Sequence, residues 1–375
     1  MKRGLAVSTT IRSFIAAVLL TPLAALAQTT PPAEPAPAAP AATLESAKPS
    51  PWYSTVTFGG TVDAYYMVRF DAAQNTATGS RAFDAATGFN LGYAKLTAAM
   101  APSPAGFRID LGFGPTADIV TPASGASAKY VQQAYVALQL GPVELDLGRF
   151  VTSAGSEVIE AKDNWIYSRS LLFNLIPFTH VGAKATATVI PGLTATLGVN
   201  NGWDQIGGGQ PAKTGQLSLA YAGPSSSIVA VNLYEGINPT TYTGDANTTF
   251  YRTLVDVVAG ASFGPLDVNA NFDWSTEAAD TWYGGALMAR YHLLGDIARV
   301  SVRGEIVKDL NGVRFGSGTD TTVEEGTLSA ALPVGSNAEL RAEVRYDHAD
   351  QDIFKKGDLG SNHQVTGTVA ALAWF

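Results

Sequence analysis

The feature that most constrains the fold of this chain is a strict alternation of side chains. Over residues 266–274 every second residue is apolar (Leu266, Val268, Ala270, Phe272 and Trp274), and the residues between them are Asp or Asn. A period of two belongs to a pleated strand, whose successive side chains point to opposite faces. Comparable segments recur from Val56 to the last residue, about sixteen in all. The chain is therefore predicted to be all-β.

The connections between these segments alternate in length. Seven are tight turns marked by Pro or Gly, and most of the others are long and polar, with Glu277–Asp280 as the short exception. Outer-membrane barrels combine short periplasmic turns with long outer loops in this way. A sandwich or propeller has no reason to keep that asymmetry in register. The pattern predicts a transmembrane antiparallel up-and-down β-barrel of about 16 strands over residues 52–375.

The N-terminal 51 residues are predicted to lie outside the barrel. Lys2, Arg3 and Arg12 accompany a short apolar run that ends in small residues before Gln28, which is the layout of a secretory signal peptide over residues 1–27. Residues 28–51 are dominated by Pro and Ala and predict a semi-extended periplasmic tether. Loss of the three cations takes the formal charge from -8 to -11. So acidic a protein is a poor candidate for binding nucleic acid.

The polar faces of the strands predict a barrel interior that is filled with water. It carries acidic and basic residues in nearly equal number, and a dry core could not hold so many ions, because each unpaired buried charge costs several kcal/mol. A barrel of roughly sixteen strands leaves a water-filled lumen. Part of the inner wall of the barrel is rich in arginine. It is predicted to lie opposite the loop that follows the fifth strand. Its predicted members are Arg290, Arg299, Arg303, Glu305, Glu339, Arg341, Glu343 and Arg345.

That loop, residues 151–179, is too long for a simple connection and is predicted to fold inward as a pore constriction. Its site residues are predicted to be Glu157, Glu160, Lys162, Asp163, Trp165, Tyr167 and Arg169. An acidic loop facing an arginine ladder would orient polar solutes and give a weak cation preference at low salt. Alternatively, the arginines pair with Glu305, Glu339 and Glu343 as a structural ladder. Both interpretations can hold together.

Other chemistries have weaker support in the sequence. Ser168, His180 and Asp163 are the residue types of a hydrolase triad, but no G-x-S-x-G elbow surrounds a serine. The four histidines lack metal-ligand spacing, and Gly207-Gly208-Gly209 lacks the Lys-Ser/Thr of a phosphate loop. We therefore expect no metal, no cofactor and no catalysis. Trp165, Tyr167 and Phe173 could stack on sugars, although packing of the loop against the wall is the simpler role.

The stretch from Gly148 to Asp204 carries a family resemblance. It contains GRF at a strand end, followed by GSEVIEAKDNW, YSRS, PFTH and NGWD. This combination resembles the OmpL-like beta-barrel porin family of Gram-negative outer membranes. The resemblance implies a general diffusion channel and leaves the solute open.

The sequence therefore predicts an outer-membrane porin that passes small hydrophilic solutes and ions by diffusion. A non-conducting barrel for surface display or envelope tethering is the alternative, and a barrel hydrolase is a more distant one. Phe375, on an alternating apolar strand, is predicted to be the C-terminal assembly signal read by the barrel-assembly machinery. The other expected partners are the lipid bilayer, the solutes and further copies of the chain in a homotrimer.

Overall fold

The computed structural model describes residues 51–72, 76–79, 81–121, 128–207, 213–224, 226–237, 251–278 and 280–375. The predicted signal peptide, nearly all of the predicted tether, and Gly208 and Gly209 lie outside the described residues. The strands are β1 Thr57–Arg69, β2 Gly88–Met100, β3 Ala105–Phe113, β4 Val131–Leu140, β5 Val143–Val151, β6 Thr179–Ile190, β7 Leu193–Asn200, β8 Thr214–Ala222, β9 Ile228–Ile237, β10 Tyr251–Phe263, β11 Leu266–Glu277, β12 Asp280–Leu293, β13 Ala298–Leu310, β14 Thr321–Val334, β15 Ala338–Ala349, β16 Phe354–Lys356, β17 Leu359–Ser361 and β18 His363–Trp374. One α-helix, α1, spans Pro115–Val120, and 3₁₀ turns lie at Trp52–Thr55, Ala128–Tyr130 and Ala161–Asp163.

Sixteen of these strands form one closed antiparallel barrel. Each strand pairs with its neighbours in the chain, β16 and β17 form a separate hairpin, and β18 pairs with both β15 and β1. At the closure Thr61 lies opposite Trp374, and the Phe375 N–H donates to the Gly60 carbonyl at 3.1 Å. The predicted all-β barrel and its strand number are confirmed. In the described part of the chain, no helix is long and apolar enough to cross a bilayer.

The strands have their apolar faces outward and their polar faces inward. On β11, Phe272 is 47% exposed on the outer face, whereas the next residue, Asp273, is fully buried on the inner face. This inverts the arrangement of a water-soluble protein, because lipid replaces water outside the barrel. Several of the turns between neighbouring strands have glycine at a position of positive φ. Gly264, between β10 and β11, has a φ of 61°, which costs glycine little because it has no Cβ.

An apolar cluster fills part of the barrel interior. The β5–β6 loop, residues 152–178, contributes Leu171, Leu172 and Phe173, and these pack against inward side chains such as Trp282 and Val307. Other connections complete the cluster with Phe83, Ala117, Val120, Trp203 and Phe354. The β5–β6 loop is therefore attached inside the barrel and does not lie free above it.

Candidate functional site

The β5–β6 loop first folds onto itself. The Asn164 side chain accepts a hydrogen bond from the Val158 N–H at 2.9 Å and donates to the Val158 carbonyl at 2.7 Å. Arg169 donates to the carbonyls of Val158 and Ile159 at 3.0 and 2.6 Å. Side chains thus supply the partners that the backbone of an irregular segment needs when it is buried. The β5–β6 loop can therefore be attached to the inner wall at several points as a single unit.

Two carboxylates of the inner wall bind backbone N–H groups of the loop. Glu343 on β15 accepts hydrogen bonds from the N–H groups of Tyr167 and Ser168 at 3.0 and 3.2 Å. Glu305 on β13 accepts from Leu171 and Leu172 at 2.6 and 2.7 Å. Each bond supplies a partner to a backbone N–H group that is buried away from water. These four bonds fix the second half of the loop against β13 and β15.

Three arginines of the same wall bind loop oxygens. Arg303 pairs with the Glu157 carboxylate at 2.8 Å and donates to the Ser168 carbonyl at 2.9 Å. Arg345 donates to the Arg169 carbonyl at 2.6 Å, and Arg341 to the Ala161 carbonyl at 2.8 Å. The wall therefore supplies both acceptors and cationic donors to one segment.

Arg290 and Arg299 lie elsewhere on this wall. Arg290 pairs with Asp267 at 2.7 Å, and its guanidinium lies 4.6 Å from the Trp165 ring centroid. Arg299 pairs with Glu339 at 2.9 Å and also with Asp296. Arg290 thus reaches the loop through the Trp165 ring, whereas Arg299 belongs to a ladder between strands.

At its beginning, residues 152 and 153, the loop meets uncharged groups of β8 and β9. The Tyr234 hydroxyl on β9 accepts from the Ser153 N–H at 3.1 Å and contacts Thr152 at the same distance. The Ser153 hydroxyl is 2.6 Å from that of Ser218 on β8 and accepts from Gln216 at 3.0 Å. Such bonds between neutral groups contribute only about 0.5–1.5 kcal/mol each. The loop thus has one charged attachment and one neutral attachment.

A third attachment joins the loop to β1 and β2. The Tyr167 hydroxyl donates to Asp63 at 2.7 Å, and burial raises the pKa of that hydroxyl, which keeps it a donor. Lys95 pairs with Asp110 at 3.2 Å and with Glu160 of the loop. The β5–β6 loop is therefore tied to the inner wall from three directions.

The structure separates the predicted loop residues into two groups. Glu157, Glu160, Tyr167 and Arg169 are committed to the contacts described above. Lys162 and Asp163 pair with each other at 2.7 Å, and Asp163 remains half exposed. Trp165 is half-buried beneath Arg290, whereas Tyr167 and Phe173 are buried. Tyr167 and Phe173 are therefore packed inside the barrel in this structure.

The residues of the hydrolase hypothesis have unrelated partners. The Ser168 hydroxyl lies 3.4 Å from Arg303, His180 contacts the Gly202 carbonyl and stacks on Tyr234 at 4.9 Å, and Asp163 binds Lys162. Within the described ranges, no three His, Asp or Glu side chains are grouped to hold a metal ion. Ser168, His180 and Asp163 therefore do not form a triad in this structure.

Several residues of the site were missed by sequence reasoning. Glu325 on β14 pairs with Arg303 at 2.9 Å, and Tyr234 is the main neutral partner of the loop. Glu325 shares its parity with Thr327 and Ser329, and this alternation was the available signal. Tyr234 shares its parity with Asn232, and this was a weaker signal, because a single polar residue marks the inner face of that strand.

One buried acid lies where the loop returns to the barrel. The Asp204 carboxylate accepts the N–H groups of Phe178 and Thr179, both at 2.8 Å. Burial raises the pKa of Asp204 to about 6, although these two hydrogen bonds oppose the shift. The C-terminal end of the loop is therefore anchored by a group that titrates near neutrality.

Comparison with known protein families identifies the family of this chain. The profile described as "Putative beta-barrel porin-2, OmpL-like" matches residues 55–375. The chain belongs to this porin family. No curated protein sequence matches the porin.

Solved structures with the same fold are porins and related outer-membrane proteins. Pseudomonas putida OprB matches with a TM-score of 0.58 at 12% identity, covering 86% of this chain and 94% of that one. An anion-selective porin from Comamonas acidovorans has a TM-score of 0.55 at 12% identity and covers 85% and 99%. The trimer form of Vibrio cholerae OmpT gives 0.55 at 12% identity and covers 86% and 99%.

Family and fold together make the chain an outer-membrane porin, a channel-forming barrel. The porin family supports the channel function. At such low identities the solved structures establish the fold alone. The solute and the path through the lumen must be argued from this chain's own residues.

Proposed function

We propose that this porin passes small hydrophilic solutes and ions by passive diffusion, with the β5–β6 loop as its constriction. The observation that carries the proposal is the attachment of one compact segment to inner-wall residues of β1, β2, β8, β9, β13 and β15. A segment held on several sides of the lumen reduces its free cross-section. Solutes pass on the side where contacts are neutral, because water replaces those bonds at little cost.

The inner wall outside the loop contacts suits hydrophilic solutes. Arg108, Lys184 and Arg299 retain exposed side-chain surface, and each pairs with a carboxylate. Such a wall of mixed sign is wetted without a strong preference for either ion. The expected solutes are therefore small, polar and of either charge.

Two further assignments belong to the same proposal. Residues 1–27 direct export, and Phe375 serves as the assembly signal for the barrel-assembly machinery. Self-association as a homotrimer is supported by analogy, because the similar Vibrio cholerae barrel is described in a trimer form. Catalysis is not proposed, since Ser168, His180 and Asp163 serve separate contacts.

A barrel closed by its loops is the second candidate function. It is favoured by the apolar cluster in which other connections of the barrel meet the β5–β6 loop, with Phe83, Val120 and Trp203 among its members. A barrel of this kind would display loops or tether the envelope without conducting. Wild-type single-channel current in planar bilayers separates the two candidates, because only the first predicts discrete conductance steps.

The constriction is tested with single cysteines, since the chain contains none of its own. Asp163→Cys places a thiol on the half-exposed part of the loop, and Val313→Cys places one on the exposed β13–β14 connection. A charged methanethiosulfonate reagent should lower the conductance of the first variant and leave the second unchanged. Deletion of residues 155–170 should raise conductance. A well-folded deletion variant with unchanged conductance would refute the constriction.

A further inference from the structure

Two buried carboxylates of the inner wall lie directly opposite each other. Asp256 on β10 and Asp273 on β11 are register partners, and both are fully buried inside the barrel. The two carboxyl groups are within hydrogen-bonding distance of each other. Two negative charges at such a distance repel each other strongly where water is excluded. The pair therefore requires a positive charge beside it.

The arginines of the neighbouring inner wall do not supply that charge. Within the part of the chain that the structure describes, neither Asp256 nor Asp273 forms a salt bridge. The inward arginines of β10, β12 and β13 pair with other carboxylates, among them Arg252 with Glu277, Arg290 with Asp267, and Arg303 with Glu157 and Glu325. Glu305 on β13 adds further negative charge near Asp273.

Amide groups are the hydrogen-bond partners of the two carboxylates. Asn232 Nδ2 donates to Asp256 Oδ1 at 2.6 Å. Asn271 Nδ2 donates to Asp256 Oδ2 at 2.7 Å and to Asp273 Oδ1 at 3.2 Å. The fourth carboxylate oxygen, Asp273 Oδ2, is buried and has no hydrogen-bond partner among the described residues. Neutral donors therefore satisfy three of the four oxygens and leave the charge of the pair in place.

Two other buried oxygens beside the pair also have no partner in the described ranges. Asn232 lies directly opposite Asp256 on β9, is only 1% exposed, and has an unpartnered Oδ1 atom. Ser275 follows Asp273 on the same inward face of β11, is fully buried, and has an unpartnered Oγ atom. A buried polar atom without a partner is costly. Carboxylate and amide oxygens are ligands of Ca²⁺ in proteins.

We propose that Asp256 and Asp273 bind one calcium ion inside the barrel, together with the unpartnered oxygens of Asn232 and Ser275. A shared proton would neutralise only one of the two negative charges, whereas a divalent cation neutralises both. Mg²⁺ suits the site less well, because it demands near-octahedral geometry and usually keeps several waters, for which a fully buried site is poorly suited. The site contains only two acidic ligands and completes its set with neutral oxygens.

The proposed calcium site adjoins the beginning of the β5–β6 loop. The Ser156 N–H donates to Asn271 Oδ1 at 3.2 Å, and Asn271 is the amide that donates to both carboxylates. A bound calcium ion fixes the two carboxylates and, through Asn271, the backbone of the loop. It therefore strengthens the attachment of the loop close to its neutral contacts with β8 and β9. The inference does not depend on conduction.

The test is calcium binding to the folded porin. EDTA-treated porin in lipid is titrated calorimetrically with calcium chloride. We expect the wild type to bind one more calcium ion per chain than the Asp256→Asn/Asp273→Asn variant, which keeps the shape of both side chains. The control is Asp267→Asn, since Asp267 is an inward acid of β11 that already pairs with Arg290, and it should bind as many ions as the wild type. Equal binding by the wild type and the double variant would overturn the proposal and indicate that the pair holds a proton.

Hydrogen exchange of the wild type gives an answer even if the double variant does not fold. At a free calcium concentration of ten times the dissociation constant, the calcium-free state becomes about tenfold rarer. Exchange of the Ser156 amide should slow by a similar factor relative to porin in EDTA. The Tyr167 amide, which donates to Glu343 on β15, is the internal control and should change less. The same Ser156 exchange rate in calcium and in EDTA would overturn the proposal.

Discussion

The two sides of the lumen hold the same loop by different chemistry. On β13 and β15, Glu305 and Glu343 accept hydrogen bonds from it and the Arg303 guanidinium donates to it, and all three side chains are almost completely buried. On β8 and β9, Ser218 and Tyr234 bind it through hydroxyl groups. A buried charge is costly to leave without its partner, whereas a hydroxyl can exchange its partner for water. The charged side therefore fixes the position of the loop. On the neutral side the loop can detach from the wall more easily.

The inward arginines of β13 and β15 have two roles, in pairing between strands and in binding the loop. Arg299 and Arg341 both pair with Glu339, as the structural-ladder interpretation requires. Arg303 and Arg345, however, also bind the loop directly, and Glu305 and Glu343 bind its backbone. Neighbouring residues of one wall thus serve the sheet and the constriction at once. Substitutions on each side of the lumen test whether the two sides hold the loop with different strength.

The largest effect is expected at Arg303. Arg303→Met leaves the buried carboxylates of Glu157 and Glu325 without their shared cation. Breaking a buried ion pair in this way costs about 3–5 kcal/mol of unfolding free energy. A urea titration in lipid vesicles measures this change. Ser218→Ala on the neutral side is the control and should cost only about 1 kcal/mol. Equal losses for the two variants would contradict the comparison.

A pH effect comes next, from Asp204 at the end of the loop. Because its folded pKa of about 6 is above the unfolded value of 3.8, the folded state binds the proton more tightly. Stability is therefore gained as the pH falls through 6 and lost as it rises. Between pH 5 and 7.5 the loss should be about 1–2 kcal/mol.

Asp204→Asn isolates this contribution, since the amide oxygen can still accept from Phe178 and Thr179. Hydrogen exchange of those two amides at several pH values is the measurement. Protection should fall with rising pH in the wild type, relative to the variant. The same pH profile in both proteins would exclude Asp204 as the titrating anchor.

A smaller effect is expected from Tyr234→Phe on the neutral side. The substitution removes the hydroxyl that contacts Thr152 and Ser153 and leaves the ring in place. The unfolding free energy should fall by only about 1 kcal/mol. Current fluctuations should nevertheless increase, because this edge of the loop is then released while Glu305 and Glu343 still hold the other. Quiet channels indistinguishable from wild type would show that the neutral contacts do not control the opening.

The smallest effect is expected for ion selectivity. Glu157 and Glu160 are neutralised by Arg303 and Lys95, which leaves half-exposed Asp163 as the loop acid most open to passing ions. Asp163→Asn should move the reversal potential toward anions and change the permeability ratio by about twofold or less, since exposed charges are weakly coupled. The shift should disappear at 1 M salt. Neutralising Glu157 should not produce this salt-dependent shift of the reversal potential.

The sequence alone determined the barrel and the parity of its strands. Alternation such as that of residues 266–274 acts within one strand, and each polar position there faces inward as predicted. The turn residues and the loop lengths are equally local, so the sixteen strands could be counted without knowing which residues meet across the lumen.

Only the tertiary structure decided how the loop is held. The acceptor of the Leu172 N–H is Glu305, which is 133 residues away in the chain, and that of the Ser168 N–H is Glu343, 175 residues away. No periodicity encodes such pairings, because a carboxylate on a wall strand can bind an arginine, a backbone N–H or water equally well. The closure of the barrel brings these groups together, and their burial then makes each unpaired alternative too costly.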